Sequence, residues 1–392
     1  MNVPTPLEQA LLNKTVQRTA TIGLPASRSV MERRFPLTPE AAGILVDRGF
    51  RVRMESGAAA HIHYTDESYT RHGVEIVSRA EAFDSEIVIY LAALTVADAG
   101  LLKRGSLFLS FLHQGPGLGA VVRRLMERKV ISLALELVSD NKGNRPFADA
   151  LHEIDGRAAI AIASSLLADA VHGKGILLGG VAGVVPCEVM IIGSDMAACA
   201  AAQTALGMGA TVRMFDNDVY RLREAVRQSG QGVISSTLHP RVFESALRSA
   251  DIVVATDTSP RCGVIEAGLA DLMKRGVIAF DLTDDPGSAF PSLQLVDLDL
   301  AMPSDNGMTE PVRACYINAG NAVPRTVAMA MSNVFVAMLD DIMLCEGVSN
   351  ALKLKRGLQR AVGTIFGKCV NPVCAAAAGV RPVDISLFLQ FS

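Results

Sequence analysis

Short apolar runs alternate with helical patterns through the first third of the chain. Buried strands are predicted at residues 19–24, 52–55, 87–91, 107–112 and 130–137. Between them, Thr38-Pro39-Glu40 marks a helix start, because proline fits the first turn of a helix, and further helices are predicted near 66–72 and 78–83. This alternation indicates an α/β domain with a parallel sheet, whose first part extends to about Asn144.

Two long apolar helices are predicted on either side of a second set of strands. The first is the alanine-rich stretch 150–172, interrupted by Gly156, and the second is 327–344. Strands are predicted near Val189 and Val212 and at 252–255 and 277–281. We therefore predict a Rossmann-type dinucleotide-binding domain (151–320, including the linking helix) inserted into a flavodoxin-like parallel-sheet substrate domain (1–150 and 321–392). The cleft between two such domains is the expected place for chemistry.

Residues 189–198 have the frame of a dinucleotide-binding strand, turn and helix, but an aspartate stands where a glycine is expected. The G-x-G-x-x-G pattern corresponds here to Gly193-Ser194-Asp195-Met-Ala-Ala198, so only its first glycine remains. The next predicted strand ends in Asp216, 23 positions after Gly193, which places this acid to hold a ribose 2′-hydroxyl and to favour NAD over NADP. We predict Gly193, Ser194, Asp195 and Asp216 as the cofactor-binding positions.

Asp195 places a side chain and a negative charge beside a helix N-terminus, where the two phosphates of a dinucleotide would lie. A carboxylate at this position can also cap the helix. Two alternatives follow for NAD: displaced or weakened binding, or no binding, with the Rossmann domain kept as a scaffold.

Composition favours a compact protein that acts on small molecules. The net charge of −3 is spread over mixed acids and bases, which argues against nucleic-acid and membrane partners. Seven cysteines without a C-x-x-C motif indicate a reducing cytoplasm, and residues 1–19 lack the apolar core of a secretory signal. His61 and His63 have no visible third ligand, so we predict no metal site.

Four blocks, in this order and spacing, resemble alanine dehydrogenase and the related first domain of proton-translocating transhydrogenase. They are Glu32-Arg-Arg34-Phe-Pro-Leu-Thr-Pro39, Phe111-Leu-His113, His172-Gly-Lys-Gly-Ile-Leu-Leu-Gly-Gly-Val-Ala-Gly183 and Asn318-Ala-Gly-Asn-Ala-Val-Pro-Arg-Thr326. The resemblance covers residues 21 to about 347 and implies a divergent member of this family. It implies NAD-dependent oxidative deamination of alanine to pyruvate through an imine, and a homo-oligomer.

The resemblance also implies roles for individual residues. Arg34 matches the arginine that clamps the substrate carboxylate, and His113 matches the histidine that bonds the substrate oxygen and moves protons. Asp285 matches the aspartate that activates water or the amine, and Asn318 matches the asparagine near the nicotinamide. His113 and Asp285 are thus the predicted catalytic residues.

The chain departs from the family pattern at two further places. The family segment Val-Lys-Glu-Pro is Leu91-Ala92-Ala93-Leu94 here, so Ala92 replaces a lysine that helps to hold the carboxylate. Losing such a cation costs about a hundredfold in rate. Tyr90, two residues earlier, is predicted to contact substrate through a hydrogen bond. A family serine that contacts cofactor phosphate is His152 here, which either pairs with Asp195 or is an ordinary surface residue.

These features give one leading functional hypothesis and two alternatives. The leading one is a divergent alanine dehydrogenase-like oxidoreductase that uses NAD(H) on an amino acid, imine or 2-oxo acid other than alanine or pyruvate. The second is a cofactor-independent enzyme for imine formation, hydrolysis, condensation or cyclisation of an amino-acid-derived substrate. The third is a noncatalytic regulatory homologue.

Overall fold

The computed structural model describes residues 20–29, 32–259, 262–298 and 314–389. The predicted absence of a secretory signal in residues 1–19 therefore falls outside the described residues. Contacts divide the chain into two compact units, and each is described by itself below. Unit 1 spans Met1–Phe147 and Ala328–Ser392, and unit 2 spans Ala148–Val327.

The first part of unit 1 alternates strands and helices as the sequence pattern predicts. Its strands are β1 (Thr21–Leu24), β2 (Arg51–Glu55), β3 (Glu75–Val77), β4 (Ile87–Ile89), β5 (Leu107–Ser110) and β6 (Ile131–Ala134). Its helices are α1 (Pro39–Asp47), α2 (Asp66–Thr70), α3 (Arg79–Phe83), α4 (Val96–Ala99) and α5 (Leu118–Glu127). Thr38 caps α1 by accepting a hydrogen bond from the amide of Ala41, and Pro39 follows it, as the Thr-Pro-Glu sequence predicts.

Unit 2 contains a wholly parallel sheet flanked by helices. Its strands are β7 (Glu188–Ile192), β8 (Thr211–Phe215), β9 (Val233–Ser236), β10 (Ile252–Ala255), β11 (Ile278–Asp281), β12 (Gln294–Asp297) and β13 (Ala314–Ile317). Its helices are α6 (Pro146–Ala168), α7 (Met196–Gly207), α8 (Val219–Ser229), α9 (Pro240–Ser249) and α10 (Ala267–Ala270). Among the described residues the strand order is β12-β13-β11-β10-β7-β8-β9, and neighbouring strands pair in parallel.

The chain then returns to unit 1. The returning elements are α11 (Pro324–Leu344), α12 (Val348–Leu354), α13 (Arg356–Gln359), β14 (Val362–Ile365), β15 (Lys368–Cys369), α14 (Pro372–Ala378) and α15 (Ser386–Leu389). β14 pairs antiparallel with β6, which completes the described sheet in the order β15-β14-β6-β5-β4-β1-β2-β3. The predicted fold class, two α/β domains of which the inserted one is Rossmann-type, is confirmed.

Helix α6 lies four residues earlier than the predicted helix 150–172. Pro146 is favoured in the first helical turn, so the helix begins there, before the apolar pattern is visible. It ends before Asp169, whose carboxylate accepts hydrogen bonds from the amides of Val171 and His172 and so turns the chain. Gly156 allows close packing against α7, since a Cβ there would lie 2.2 Å from the carbonyl oxygen of Ala197.

Helix α11 is long and apolar enough to cross a membrane by length and composition. Its buried positions nevertheless follow the spacing of a helix packed into a core: Val327, Met331, Phe335 and Leu339 are each 0% exposed. The ring of Phe335 lies 4.8 Å from that of Phe147, centroid to centroid. These contacts identify α11 as a core helix.

Candidate functional site

Arg34 in unit 1 is held in a fixed orientation by its neighbour Glu32. The Nε and Nη2 groups of Arg34 donate to the two carboxylate oxygens of Glu32 at 2.8 and 2.5 Å, and the Arg34 amide donates to the same carboxylate at 2.9 Å. The guanidinium also lies over the ring of Phe111, 4.9 Å from its centroid. A guanidinium has five N–H donors in a fixed fork, and Glu32 takes two of them. The ion pair and the ring contact together fix the orientation of the Arg34 guanidinium.

His113 follows β5 at the carboxyl end of the sheet of unit 1, where parallel sheets place functional groups. Its Nε2 lies 2.6 Å from the carbonyl oxygen of Leu91. A carbonyl oxygen can only accept, so Nε2 carries a proton in this contact, and Nδ1 is the remaining ring nitrogen. The catalytic role of His113 stays a prediction.

Glu136 is a candidate site residue that the sequence analysis missed. It lies in a short 3₁₀ turn (Leu135–Leu137) directly after β6, and its Oε1 accepts a hydrogen bond from the amide of Leu112 at 2.8 Å. Its Oε2 is buried without a hydrogen-bond partner among the described residues. Burial raises the pKa of Glu136, and the hydrogen bond from the Leu112 amide and the charge of Arg34 act against that rise. The sequence signal that could have identified Glu136 is its position, as an acid directly after a predicted buried strand.

The structure places Tyr90 in the core of unit 1. It is 3% exposed, and its ring lies 5.6 Å from that of Phe83 and 5.9 Å from the guanidinium of Arg79. The substrate contact predicted for Tyr90 stays a prediction, for a side chain that the structure places among core residues. Ala92, which stands in place of the family lysine, is 1% exposed in the same apolar cluster.

A cavity of about 280 Å³ lies in unit 1 beside His113. Its walls come from β5 and β6, from α5, from the loop 111–118, and from the C-terminal segment around Gly363 and Cys374. Phe111, which stacks on Arg34, is part of this wall. His113 lines the cavity, whereas Arg34 contacts one of its wall residues, Phe111.

In unit 2, the turn after β7 has the predicted glycine and the predicted carboxylate. Gly193 has φ +118°, and a Cβ there would lie 2.2 Å from Oγ1 of Thr256, so only glycine fits. Asp195 is the N-cap of α7 and accepts a hydrogen bond from the amide of Ala198 at 2.9 Å. Burial raises the pKa of Asp195. The carboxylate therefore occupies a helix N-terminus that a phosphate would otherwise use.

The two remaining predicted cofactor residues bond to each other. The hydroxyl of Ser194 donates to Oδ2 of Asp216 at 2.5 Å, and the amide of Asp218 donates to Oδ1 of Asp216 at 2.8 Å. Asp216 lies after β8 as predicted, but it is 0% exposed and both of its oxygens accept from the protein. A ribose hydroxyl that bound Asp216 would have to share this carboxylate with Ser194 and the Asp218 amide, or displace their hydrogen bonds.

His152 and Asp285 lie in less constrained surroundings of unit 2. His152 Nε2 lies 3.9 Å from Oδ1 of Asp284, so Asp284 rather than Asp195 is its ion-pair partner, although the charge of His152 still acts on the pKa of Asp195. The loop carrying Asp285 is organised by Asp281, whose carboxylate accepts hydrogen bonds from three backbone amides and one hydroxyl. Asp285 itself is exposed.

Asn318 begins a 3₁₀ turn (Ala319–Ala322) with φ +60°, a conformation that asparagine tolerates better than most residues. Its side-chain amide donates to Asp297 at 3.0 Å. The next turn is fixed by Asp155, which accepts from the amide of Gly320 at 2.7 Å. In the described ranges, no group of three or more His, Cys, Asp or Glu side chains could hold a metal ion.

Comparison with known protein families accounts for both units. The sequence model "Alanine dehydrogenase/PNT, N-terminal domain" matches residues 23–154, and "Alanine dehydrogenase/PNT, C-terminal domain" matches residues 159–372. The chain belongs to the alanine dehydrogenase/PNT family. An alanine dehydrogenase of Staphylococcus saprophyticus is 28% identical over 374 residues, which cover 94% of this chain and 100% of that protein. The divergence predicted from Asp195 and Ala92 agrees with this low identity.

Solved structures support the same family fold. One described as an L-alanine dehydrogenase matches with a TM-score of 0.77 and 25% identity, covering 91% of this chain and 98% of that one. A transhydrogenase from Sinorhizobium meliloti matches with a TM-score of 0.70 at 16% identity, which bears on fold alone, over 90% and 99% of the two chains. The chain is therefore an alanine dehydrogenase-like, oxidoreductase-family protein with a Rossmann-type domain, for which NAD is a possible cofactor.

The residues of unit 2 fit the frame of a dinucleotide site with one exception. The Gly193 turn, the helix that follows it and the acid after β8 are all in place. The exception is the carboxylate of Asp195 at the helix N-terminus, which opposes a diphosphate by charge and already accepts the Ala198 amide.

Proposed function

We propose that this protein binds a 2-amino or 2-oxo acid by its carboxylate and interconverts the two as a divergent alanine dehydrogenase-like oxidoreductase with NAD(H). The observation that carries the proposal is the Arg34 fork fixed by Glu32, together with the nearby side chains of His113 and Glu136. Ala92 leaves this site without the family lysine, and for this reason we propose a substrate other than alanine or pyruvate.

Each of these side chains has a definite part in the proposed reaction. Arg34 anchors the carboxylate and so orients C2 of the substrate. His113 exchanges a proton through Nδ1 with the group at C2, while its Nε2 stays bonded to the carbonyl of Leu91. Glu136 stabilises the protonated ring and supplies the nearest carboxylate for the return of that proton. The nicotinamide, when bound, supplies the hydride acceptor or donor, and Asp195 makes its binding weaker than in a glycine-bearing site.

Calorimetric titration with NAD(H) and NADP(H), followed by absorbance at the nicotinamide band over a panel of amino and 2-oxo acids, tests the proposal. Cofactor-dependent turnover that is lost in Arg34→Ala and His113→Ala is the expected result. Arg104→Ala, at an exposed arginine that donates to the carbonyl of Glu127, is the matched control and should keep full activity. If neither cofactor binds, the redox function is ruled out.

A second candidate function is favoured by the observation that Asp195 caps α7. A turn held by a protein carboxylate is stable without a bound diphosphate. In this case the same arginine, histidine and glutamate would catalyse imine formation, hydrolysis, condensation or cyclisation without hydride transfer. Turnover in protein freed of nucleotide supports this candidate, and strict dependence on added NAD(H) rejects it.

A noncatalytic regulatory role stays open as a third proposal, with self-association into a homo-oligomer and a cytoplasmic location. Seven free cysteines, six of them buried, suit a reducing compartment. Light scattering on the purified chain measures the subunit number. Activity lost in the Arg34 and His113 variants counts against a noncatalytic role.

A further inference from the structure

The cavity beside His113 is apolar and carries almost no charge. Its described wall contains no Asp, Glu, Lys or Arg, and His113 is the titratable nitrogen base in it. Aliphatic and aromatic side chains from three elements form most of the surface, including Phe108 of β5, Val121 and Leu125 of α5, and Leu94. Placing a charged group in such a wall costs several kcal/mol, roughly, unless a partner compensates it.

The polar atoms in the wall are mostly committed to the protein. The hydroxyl of Ser132 bonds the hydroxyl of Thr364 at 3.0 Å and accepts from the amide of the same residue at 2.9 Å. The side-chain oxygen of Asn371 accepts from the amides of Val373 and Cys374 at the start of α14. These bonds are satisfied without a ligand, so the cavity offers chiefly apolar contact.

The cavity is large enough for a side chain bigger than methyl. A water molecule takes roughly 30 Å³, and a methyl group is of similar size, so about 280 Å³ exceeds a methyl group several-fold. The loop residues 114–117, which border the cavity, are exposed.

The cavity and the carboxylate anchor share a wall. Arg34 lies over one face of Phe111, and Phe111 and His113 both line the cavity. If a 2-oxo or 2-amino acid is held at Arg34 with C2 at His113, the wall residue Phe111 lies between its carboxylate anchor and the cavity. Ala93 and Leu94, next to the alanine that replaces the family lysine, add apolar surface to it.

We propose that the cavity receives the substrate side chain, and that the substrate is a 2-oxo or 2-amino acid whose side chain is uncharged, mainly apolar and larger than methyl, of the branched-chain or aromatic kind. This inference rests on the proposed function, which it narrows from any amino or 2-oxo acid to one class.

The test measures turnover and binding separately on the full-length chain. Reductive amination is followed with NADH and ammonium for pyruvate, 4-methyl-2-oxopentanoate, phenylpyruvate and 2-oxoglutarate, and binding of the same acids to nucleotide-free protein is measured by calorimetry. One methylene group in a fitting apolar pocket is worth about 10- to 200-fold in kcat/KM. We expect at least a tenfold preference for one of the two bulky apolar acids over both pyruvate and 2-oxoglutarate.

Two variants fill the cavity from different positions on its wall. Val121→Phe adds volume from the middle of α5, and Leu118→Phe adds it at the partly exposed start of the same helix, where folding is less at risk. Both should weaken binding of the bulky acids at least tenfold, and should weaken binding of pyruvate less. Val171→Phe, at a position 81% exposed in unit 2, is the matched control, and thermal unfolding verifies the fold of all three.

The outcomes separate this inference from the proposed function. If bulky acids bind in a cavity-dependent way but no acid is turned over with NADH, the cavity assignment stands and the redox function fails. If pyruvate or 2-oxoglutarate is turned over as well as the bulky acids, the redox function stands and the cavity assignment fails. Bulky acids that neither bind nor react, or that bind equally well to a folded Leu118→Phe protein, also overturn the assignment.

Discussion

Replacing Asp195 with asparagine separates the charge of this residue from its capping role. Asparagine caps helices about as well as aspartate, so the hydrogen bond to the amide of Ala198 persists while the negative charge is lost. Asp195→Gly also removes the side chain, at a stability cost of only about a few tenths of a kcal/mol. We expect both variants to bind NAD at least tenfold more tightly than the native protein.

The magnitude follows from the position of the carboxylate at the N-terminus of α7. Two unit charges at 4 Å repel by about 4 kcal/mol at an effective dielectric constant of 20, and at twice that separation by about 2 kcal/mol. Since 1.4 kcal/mol is a factor of ten in affinity, even the larger separation predicts roughly 30-fold. Tenfold is therefore a conservative expectation for a diphosphate bound at this helix.

The pH dependence has a definite sign. Burial raises the pKa of Asp195 above its unfolded value, so protonation on lowering the pH neutralises the carboxylate within the folded protein. NAD affinity of the native protein should rise as the pH falls, while that of Asp195→Asn stays flat. Because its pKa is raised on folding, Asp195 contributes fully to the free energy of unfolding below its unfolded pKa, and it loses that contribution as the pH rises through the folded pKa. At pH 8 the Asp195→Asn protein should therefore have a larger free energy of unfolding than the native protein.

Calorimetric titration of NAD into the three proteins at pH 6 and pH 8 measures both effects. Asp169→Asn, which removes an exposed carboxylate elsewhere in unit 2, is the control and should match the native protein. Equal NAD affinities for native protein, Asp195→Asn and Asp195→Gly, without pH dependence, would show that this carboxylate does not oppose the diphosphate.

Three further predictions concern unit 1. Arg34→Lys replaces the fork that pairs with Glu32 by a single point charge, so kcat/KM should fall about a hundredfold in steady-state assays, and equal activity would contradict the clamp. Burial raises the pKa of Glu136, so its contribution to stability declines as the pH rises above the unfolded value; Glu136→Gln should remove that decline in urea unfolding measured from pH 4.5 to 8. Phe335→Ala empties a fully buried position of α11 and should lower the free energy of unfolding by about 3–5 kcal/mol, whereas a loss below 1 kcal/mol would contradict its place in the core.

The strands that carry strong apolar patterns were predictable from sequence, and the weakly patterned ones were not. β1, β5, β7 and β10 are apolar runs bounded by polar residues, and each lies within or close to its predicted range. β9 (Val233–Ser236) contains two serines and is largely exposed at the sheet edge, so its sequence has little apolar signal. β15 has two residues and exists through pairing with β14, a tertiary contact that no local pattern encodes.

The sequence predicts a site residue well when local backbone chemistry determines its conformation. It does not predict the burial or orientation of a side chain that is set by tertiary contacts. Gly193 and the capping ability of Asp195 follow from local backbone chemistry, which a motif records. Tyr90 packs near Arg79 in the core, and Glu136 accepts a hydrogen bond from Leu112, 24 positions earlier in the chain; no local sequence pattern encodes either contact. Alternation along a strand could assign Tyr90 to a face but not say what covered that face.

The departures from the family pattern act on the two units in opposite electrostatic senses. In unit 1, alanine stands at position 92, where the family resemblance implies a lysine. His113 and Glu136 are then the groups left to stabilise charge on the substrate next to an apolar cavity. In unit 2, Asp195 adds an anion where the chemistry of a dinucleotide needs a positive helix end. We propose that the first change alters which substrate side chain is favoured, and that the second alters how tightly a hydride carrier is held. Because the two changes act on different ligands, restoring lysine at Ala92 should change selectivity among acids without changing NAD affinity, and removing the Asp195 charge should do the reverse.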